Sequence, residues 1–134
     1  MVPGLRYCNL SDKSGEDYYH KILNGAFAEA FNANDQLQVI LDGTSGLLPS
    51  FLDEAFGNLV YDFGLRTVRK ILILTSDDER HWINYLEGKF EEWQARRNDQ
   101  SQSRVVTKEH DSWYRLTSGN LEKGVWAKPT ETNA

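Results

Sequence analysis

A chain of 134 residues, 40% apolar and 12% aromatic, has the size and core content of one domain, which excludes wholesale disorder and leaves little room for a second domain. Twenty acidic against fifteen basic residues give a net charge of −5, which argues against a generic nucleic-acid coat. No apolar run approaches the roughly 18 residues that span a bilayer.

In chain order, the spacing predicts a first helix opening at Ser14, with its side chain as cap and Asp17 three residues on. Tyr19, Ile22, Leu23, Ala26, Phe27 and Ala30 follow at helical intervals as one apolar stripe, and Asn32, Asn34 and Asp35 end it. Leu37 to Leu41 reads as a short strand, followed by the loop Asp42-Gly43-Thr44-Ser45-Gly46. A second helix is expected to start with Ser50 as N-cap, with Asp53 at the capping-box position and Glu54 beside it. Its buried face is Leu52, Ala55, Phe56, Leu59, Val60 and Phe63, and Gly64 terminates it. Val68 to Thr75, with the run Ile71-Leu72-Ile73-Leu74, predicts a central strand covered on both faces. Ser76 and Glu79 form a capping box for a third helix with Trp82, Leu86, Phe90 and Trp93 along one side. Gly88 weakens that helix by about 1 kcal/mol without breaking it.

This alternation of strands and helices implies an α/β fold with a partly parallel sheet and right-handed crossovers. Residues 1–97 hold fifteen acids and ten bases, residues 98–134 five of each. The run RRNDQSQS, residues 96–103, contains no apolar residue and reads as a linker. The chain therefore divides into an α/β core, residues 1–97, and a C-terminal β-rich extension, residues 98–134. In the extension Arg104 to Glu109, Trp113 to Leu116 and Gly124 to Ala127 are read as short strands or a hairpin. Trp113, Tyr114 and Trp126 stand among few aliphatic residues. Either they fold back over an exposed sheet edge of the core, or they anchor a partner or a self-association interface.

The segment VILDGTSGLLPSFLDEAFGNLV, residues 39–60, is the most distinctive stretch. With Ser50, Phe51, Leu52, Asp53, Glu54, Ala55, Phe56 and Gly57 in order, the Ser14-Gly15-Glu16 helix start and the strand ending in Thr75-Ser76-Asp77, it resembles the bacterial family of STAS-like domains of unknown function. The likeness covers roughly residues 5–97 and implies a fold similar to anti-sigma-factor antagonists: a mixed sheet with helices packed on it, no catalytic activity, and often a histidine-kinase-like ATPase as partner. In that wider group a Ser at the start of the helix after a central strand is phosphorylated. The usual Asp-Ser-Ser-Gly signature is not present here, and Ser50 is the nearest counterpart.

Read for chemistry, Ile40-Leu41-Asp42-Gly43-Thr44 approaches the Asp-x-Asp-Gly-Thr of haloacid-dehalogenase-like phosphatases, but Ile40 stands where the nucleophile belongs. Asp42 alone is a poor magnesium site and is expected to accept loop amides instead. Gly43 and Gly46 suit turns, and neither GxxxxGK[ST] nor GxGxxG occurs. His20, His81 and His110 show no ligand spacing and read as surface or partly buried polar residues. Arg66, Arg69 and Lys70 read as a solvated turn. Cys8 is alone and has no neighbour to activate it, which fits a reducing cytoplasm, as does an N-terminus without a signal-peptide pattern.

The resulting expectation is a cytoplasmic, non-enzymatic regulatory domain of bacterial or phage origin that binds another protein and needs no cofactor or metal. Asp42, Gly43, Thr44, Ser45, Ser50, Asp53, Glu54, Trp113 and Trp126 are the candidate contact residues, with Ser50 the candidate phosphosite and a homodimer a further option. Two alternatives stand beside it: a small phosphohydrolase or nucleotide-binding enzyme using Asp42 and the Gly43–Gly46 loop, and a phage or mobile-element protein that blocks a host complex.

Overall fold

The computed structural model describes residues 5–9, 15–40, 49–75, 81–99, 106 and 109–128. The chain runs β1 (Leu5–Asn9), α1 (Gly15–Tyr18), a π-helical segment (Tyr19–Leu23), α2 (Asn24–Ala33), β2 (Gln36–Ile40), α3 (Pro49–Phe63), α4 (Leu65–Ile71), β3 (Leu72–Thr75), α5 (His81–Asn98), β4 (Trp113–Thr117) and β5 (Asn120–Gly124). The fold is α/β, as the alternation implies. Strands β1, β2 and β3 form a parallel sheet in that order, while β4 and β5 pair antiparallel as a separate hairpin. Leu37 and Val39 of β2 are buried, alternating with exposed Gln36 and half-buried Gln38 as a one-sided strand requires.

The first helix is continuous through its π turn, since Tyr18 and Asn24 on either side keep right-handed helical angles. A π turn carries an extra residue, so positions before and after it fall out of one 3.6 register. That shifts the buried stripe. Tyr18, Tyr19, Leu23 and Phe27 are fully buried, whereas Ile22, expected in the stripe, is 38% exposed. Asn34 adopts the left-handed conformation and closes α2, as its place in the sequence suggests. Ser14, the expected cap, lies outside the described residues.

Helix α3 is the centre of the molecule, flanked by the first helix, α5 and the hairpin. All six residues of its expected apolar face are at most 1% exposed. Two glycines allow its neighbours to close in. A Cβ on Gly57 would overlap the Trp93 indole of α5, and one on Gly15 would sit 2.5 Å from the Phe51 carbonyl oxygen and 2.8 Å from Glu54 Cβ.

Several expectations are corrected. Helix α3 opens at Pro49, so Ser50 lies in its first turn and is not the N-cap; proline suits that first position because its missing N–H has no helical partner. Residues 65–71 form a helix, not the start of a strand. Gly64, at φ 87, ends α3 and accepts the Val68 N–H that begins α4, which buries Leu65, Val68 and Ile71 at helical spacing. The strand is therefore only Leu72–Thr75, half-exposed throughout, and among the described residues it is an edge of the sheet rather than its centre. Arg66, Arg69 and Lys70 accordingly stand on a helix, with Arg69 paired to Glu87 of α5 at 3.4 Å, not in a turn. Helix α5 continues through Arg96 and Arg97 to Asn98, three residues of the expected linker being held by packing and hydrogen bonds.

On α5, Leu86, Phe90 and Trp93 are buried as expected; Ser76, Glu79 and the Trp82 side chain lie outside the described residues. In the extension β4 falls where read, but its partner is Asn120–Gly124 rather than Gly124 to Ala127. Ser118 (φ 50) and Gly119 (φ 83) are both left-handed, the two-residue turn whose twist matches a hairpin. Of the strand read at Arg104 to Glu109, Glu109 is not in a strand, and most of the rest lies outside the described residues. The hairpin rests on α2 and α3 and does not close a sheet edge, which corrects that reading of the extension. Among the described residues no helix is long and apolar enough to cross a membrane.

Candidate functional site

Two regions gather the polar chemistry of the described residues. The first is the start of α3. Here Asp53 accepts the Trp93 indole N–H at 2.8 Å, and Asn58 donates to Glu54 at 3.5 Å. Both acids are thus partly engaged within the body while remaining half-exposed. Ser50 belongs to the same turn, though its side chain, like Asp42, Gly43, Thr44 and Ser45, lies outside the described residues. In the parallel sheet Asn9 pairs with Ile40, and Ile40 with Thr75, so the carboxyl ends of all three strands share one edge.

The second region is a buried polar slot between the first helix, α3 and the hairpin. Its floor is Asp62, fully buried on α3, which accepts hydrogen bonds from the Tyr19 hydroxyl and from Arg115 Nε at 3.0 Å, with Arg115 Nη2 also at 3.0 Å. The Arg115 guanidinium lies between the Tyr61 and Trp126 rings, 5.2 and 5.0 Å from their centroids. Asn24 takes both main-chain groups of Tyr114: its Nδ2 donates to the carbonyl at 2.9 Å and its Oδ1 accepts the N–H at 2.9 Å. The same Nδ2 donates to the Tyr19 hydroxyl at 3.0 Å.

Arg97 of α5 completes the slot. It donates to the Tyr61 and Asp62 carbonyls at the end of α3 (2.5 and 2.8 Å) and to the Leu116 carbonyl of β4 at 2.9 Å. Burial pushes its guanidinium below the ordinary arginine value, and the Asp62 charge pulls it partly back. Further along, His110 contacts the buried Glu16 carboxylate, and the His110 and His20 rings stack at 3.8 Å with an 11° tilt. His20 is half-buried, and the His110 side chain is 5% exposed.

Of the contact residues expected from sequence, the structure brings Ser50, Asp53 and Glu54 into the first turns of α3, Trp113 into β4 and Trp126 to a position two residues beyond β5. Trp113 is 1% exposed, in the core, and its carbonyl accepts the Trp126 indole N–H at 2.9 Å. Glu16, Tyr19, Asn24, Asp62, Arg97 and Arg115 were missed. The available signal was a polar residue interrupting an apolar stripe, Asp62 beside Phe63 and Asn24 beside Leu23. Among the described residues no group of three or more His, Cys, Asp or Glu side chains is placed to hold a metal.

A family model described as a STAS-like domain of unknown function matches residues 14–82, and the chain belongs to that family. No curated protein and no solved structure matches. The matched span runs from the first helix to the opening of α5. It contains Glu16, Asn24 and Asp62 and leaves out Arg97 and the whole hairpin.

Proposed function

We propose that this member of the STAS-like family is a non-enzymatic regulatory domain that acts by binding another protein at the edge where its parallel strands end and α3 begins. The observation that supports this most is the aligned register of Asn9, Ile40 and Thr75, because open parallel sheets meet ligands and partners at the carboxyl ends of their strands. Asp42, Gly43, Thr44 and Ser45 join β2 to α3 in the chain, and Ser50, Asp53 and Glu54 follow in the first turns of that helix.

A phosphate on Ser50 would gain from the amides of the first turn of α3 and lose to the charges of Asp53 and Glu54. A constitutive surface is therefore the simpler version of this reading. The family resemblance suggests a histidine-kinase-like ATPase as the partner; a host complex blocked by a phage or mobile-element protein fits the same surface. The reading places the protein in the cytoplasm and requires no cofactor.

Affinity capture from the native host with wild type, Ser50→Glu and a Thr44/Ser45 double-alanine variant tests it. A specific protein lost with either variant is the expected result. Capture unchanged by both overturns the assignment of the edge. Metal-dependent turnover of a generic phosphoester, abolished by Asp42→Asn, overturns the non-enzymatic reading.

A further inference from the structure

Four polar side chains of the described residues are buried: Glu16, Asn24, Asn58 and Asp62. Asn58 donates to its own helix, at Glu54. The other three all have partners on one short stretch, residues 110–116: His110 for Glu16, the Tyr114 main chain for Asn24, and Arg115 for Asp62. Asn24 and Asp62 also bond the Tyr19 hydroxyl within the helical body, yet each takes a further partner from the hairpin, and a body that offers a strand this many buried polar contacts has a binding groove.

We infer that the slot between the first helix and α3 is a strand-docking groove, held here by the chain's own hairpin as a built-in ligand, and that an extended segment of a partner protein carrying an arginine two residues after a bulky aromatic displaces it. The partner's chemistry follows from the contacts. Asn24 on Tyr114 and Arg97 on Leu116 bind main-chain groups, which any extended strand supplies. Asp62 is fully buried, so an occupant without a cation forfeits the ion pair that Arg115 makes there; arginine, able to lie between Tyr61 and a second ring, is the selected residue. Trp113 fills a core position and sets the aromatic two places earlier.

Displacement rather than permanent closure is supported by how the parts are divided. Of the groove residues, Glu16, Asn24 and Asp62 lie within the family-matched span, while Arg97 and the strand that fills the groove lie outside. A two-stranded hairpin is marginal by itself, so β4 and β5 leave together, tethered by the chain from Asp99 onward, whose buried Val106 is released with them. This inference shares with the proposed function only that the chain binds a protein; the surface is a different one.

The test uses the full chain and a fluorescent synthetic peptide with the sequence of residues 109–128. In wild type the tethered hairpin competes at an effective concentration on the order of millimolar, so probe binding is weak. Arg115→Ala is expected to bind the probe at least about tenfold more tightly, and Arg115→Ala with Asp62→Asn to lose that gain. A probe carrying alanine at the position of Arg115 should not bind either variant, and Ser50→Glu, which tests the other surface, should leave probe binding unchanged. Equal probe binding by wild type and a natively folded Arg115→Ala chain overturns the inference. Should Arg115→Ala not fold, a protease site inserted between Gln100 and Ser103 of the otherwise wild-type chain replaces it. After cleavage the probe is expected to exchange for the hairpin, and no exchange at any probe concentration overturns the inference.

Discussion

At Gly57 the packing has no space for a methyl group, because the N–H edge of the Trp93 indole occupies it. Gly57→Ala is expected to cost about 1–3 kcal/mol, since either the indole or the helix must move, and chemical denaturation measures it. Trp93→Phe should keep most of the packing and lose the bond to Asp53, about 1 kcal/mol. Asp62 sets a larger effect. Arg115→Ala leaves a fully buried carboxylate with the Tyr19 hydroxyl but without its cation, and should cost about 3 kcal/mol; Arg115→Lys should recover part of it. None of these pairings could be read from the chain, because Asn24 and Tyr114 are 90 positions apart and Asp62 and Arg115 are 53 apart. Periodicity reports which face is buried, not what meets it there.

Helix α3 carries the clearest test of element boundaries. With the helix opening at Pro49, Ser50 has no cap to lose, and Ser50→Ala should change stability by less than about 0.5 kcal/mol in a thermal melt. A loss nearer the 1 kcal/mol typical of a removed cap would move the helix start back to Ser50. Gly64→Ala, by contrast, should cost about 1–3 kcal/mol, because φ 87 and ψ 143 lie where a side chain is strained. The apolar face of α3 was legible because Leu52 through Phe63 keep a 3.6 spacing. The junction of α4 and β3 was not: Ile71 closes the helix and Leu72 opens the strand inside one unbroken apolar run, which carries no period to mark the change. The hairpin partner was missed for a different reason. Ser118-Gly119 is a two-residue turn signal that fixes the register at Thr117 opposite Asn120.

Across the whole molecule the extension reaches into the buried interior through Trp113. Trp113 stands in the core, and β4 supplies main-chain and side-chain partners to α2, α3 and α5. Ending the chain at Asp99 should therefore lower the melting temperature sharply and raise binding of a hydrophobic dye, as the His110, Tyr114 and Arg115 contacts to Glu16, Asn24 and Asp62 are lost together. A truncated chain that melts like the full one would show that the hairpin contributes little to the body. The parallel sheet was foreseeable from alternation alone. Its order was not, because the edge position of β3 depends on which strands pair rather than on how apolar each one is.

The π turn at Tyr19–Leu23 makes chain length itself a constraint. Removing one residue from it would let residues 15–33 wind as an unbroken α-helix, and the four residues of α1 would turn by about 100° relative to α2. Gly15 would then no longer lie flat on Phe51 and Glu54, and Glu16 would swing away from His110. A single-residue deletion here should accordingly do more harm than any one substitution in the same segment, while a second deletion cannot restore the fit. Related chains that share this packing should keep a constant interval between the residues at Gly15 and Asn24, even where the side chains between them drift.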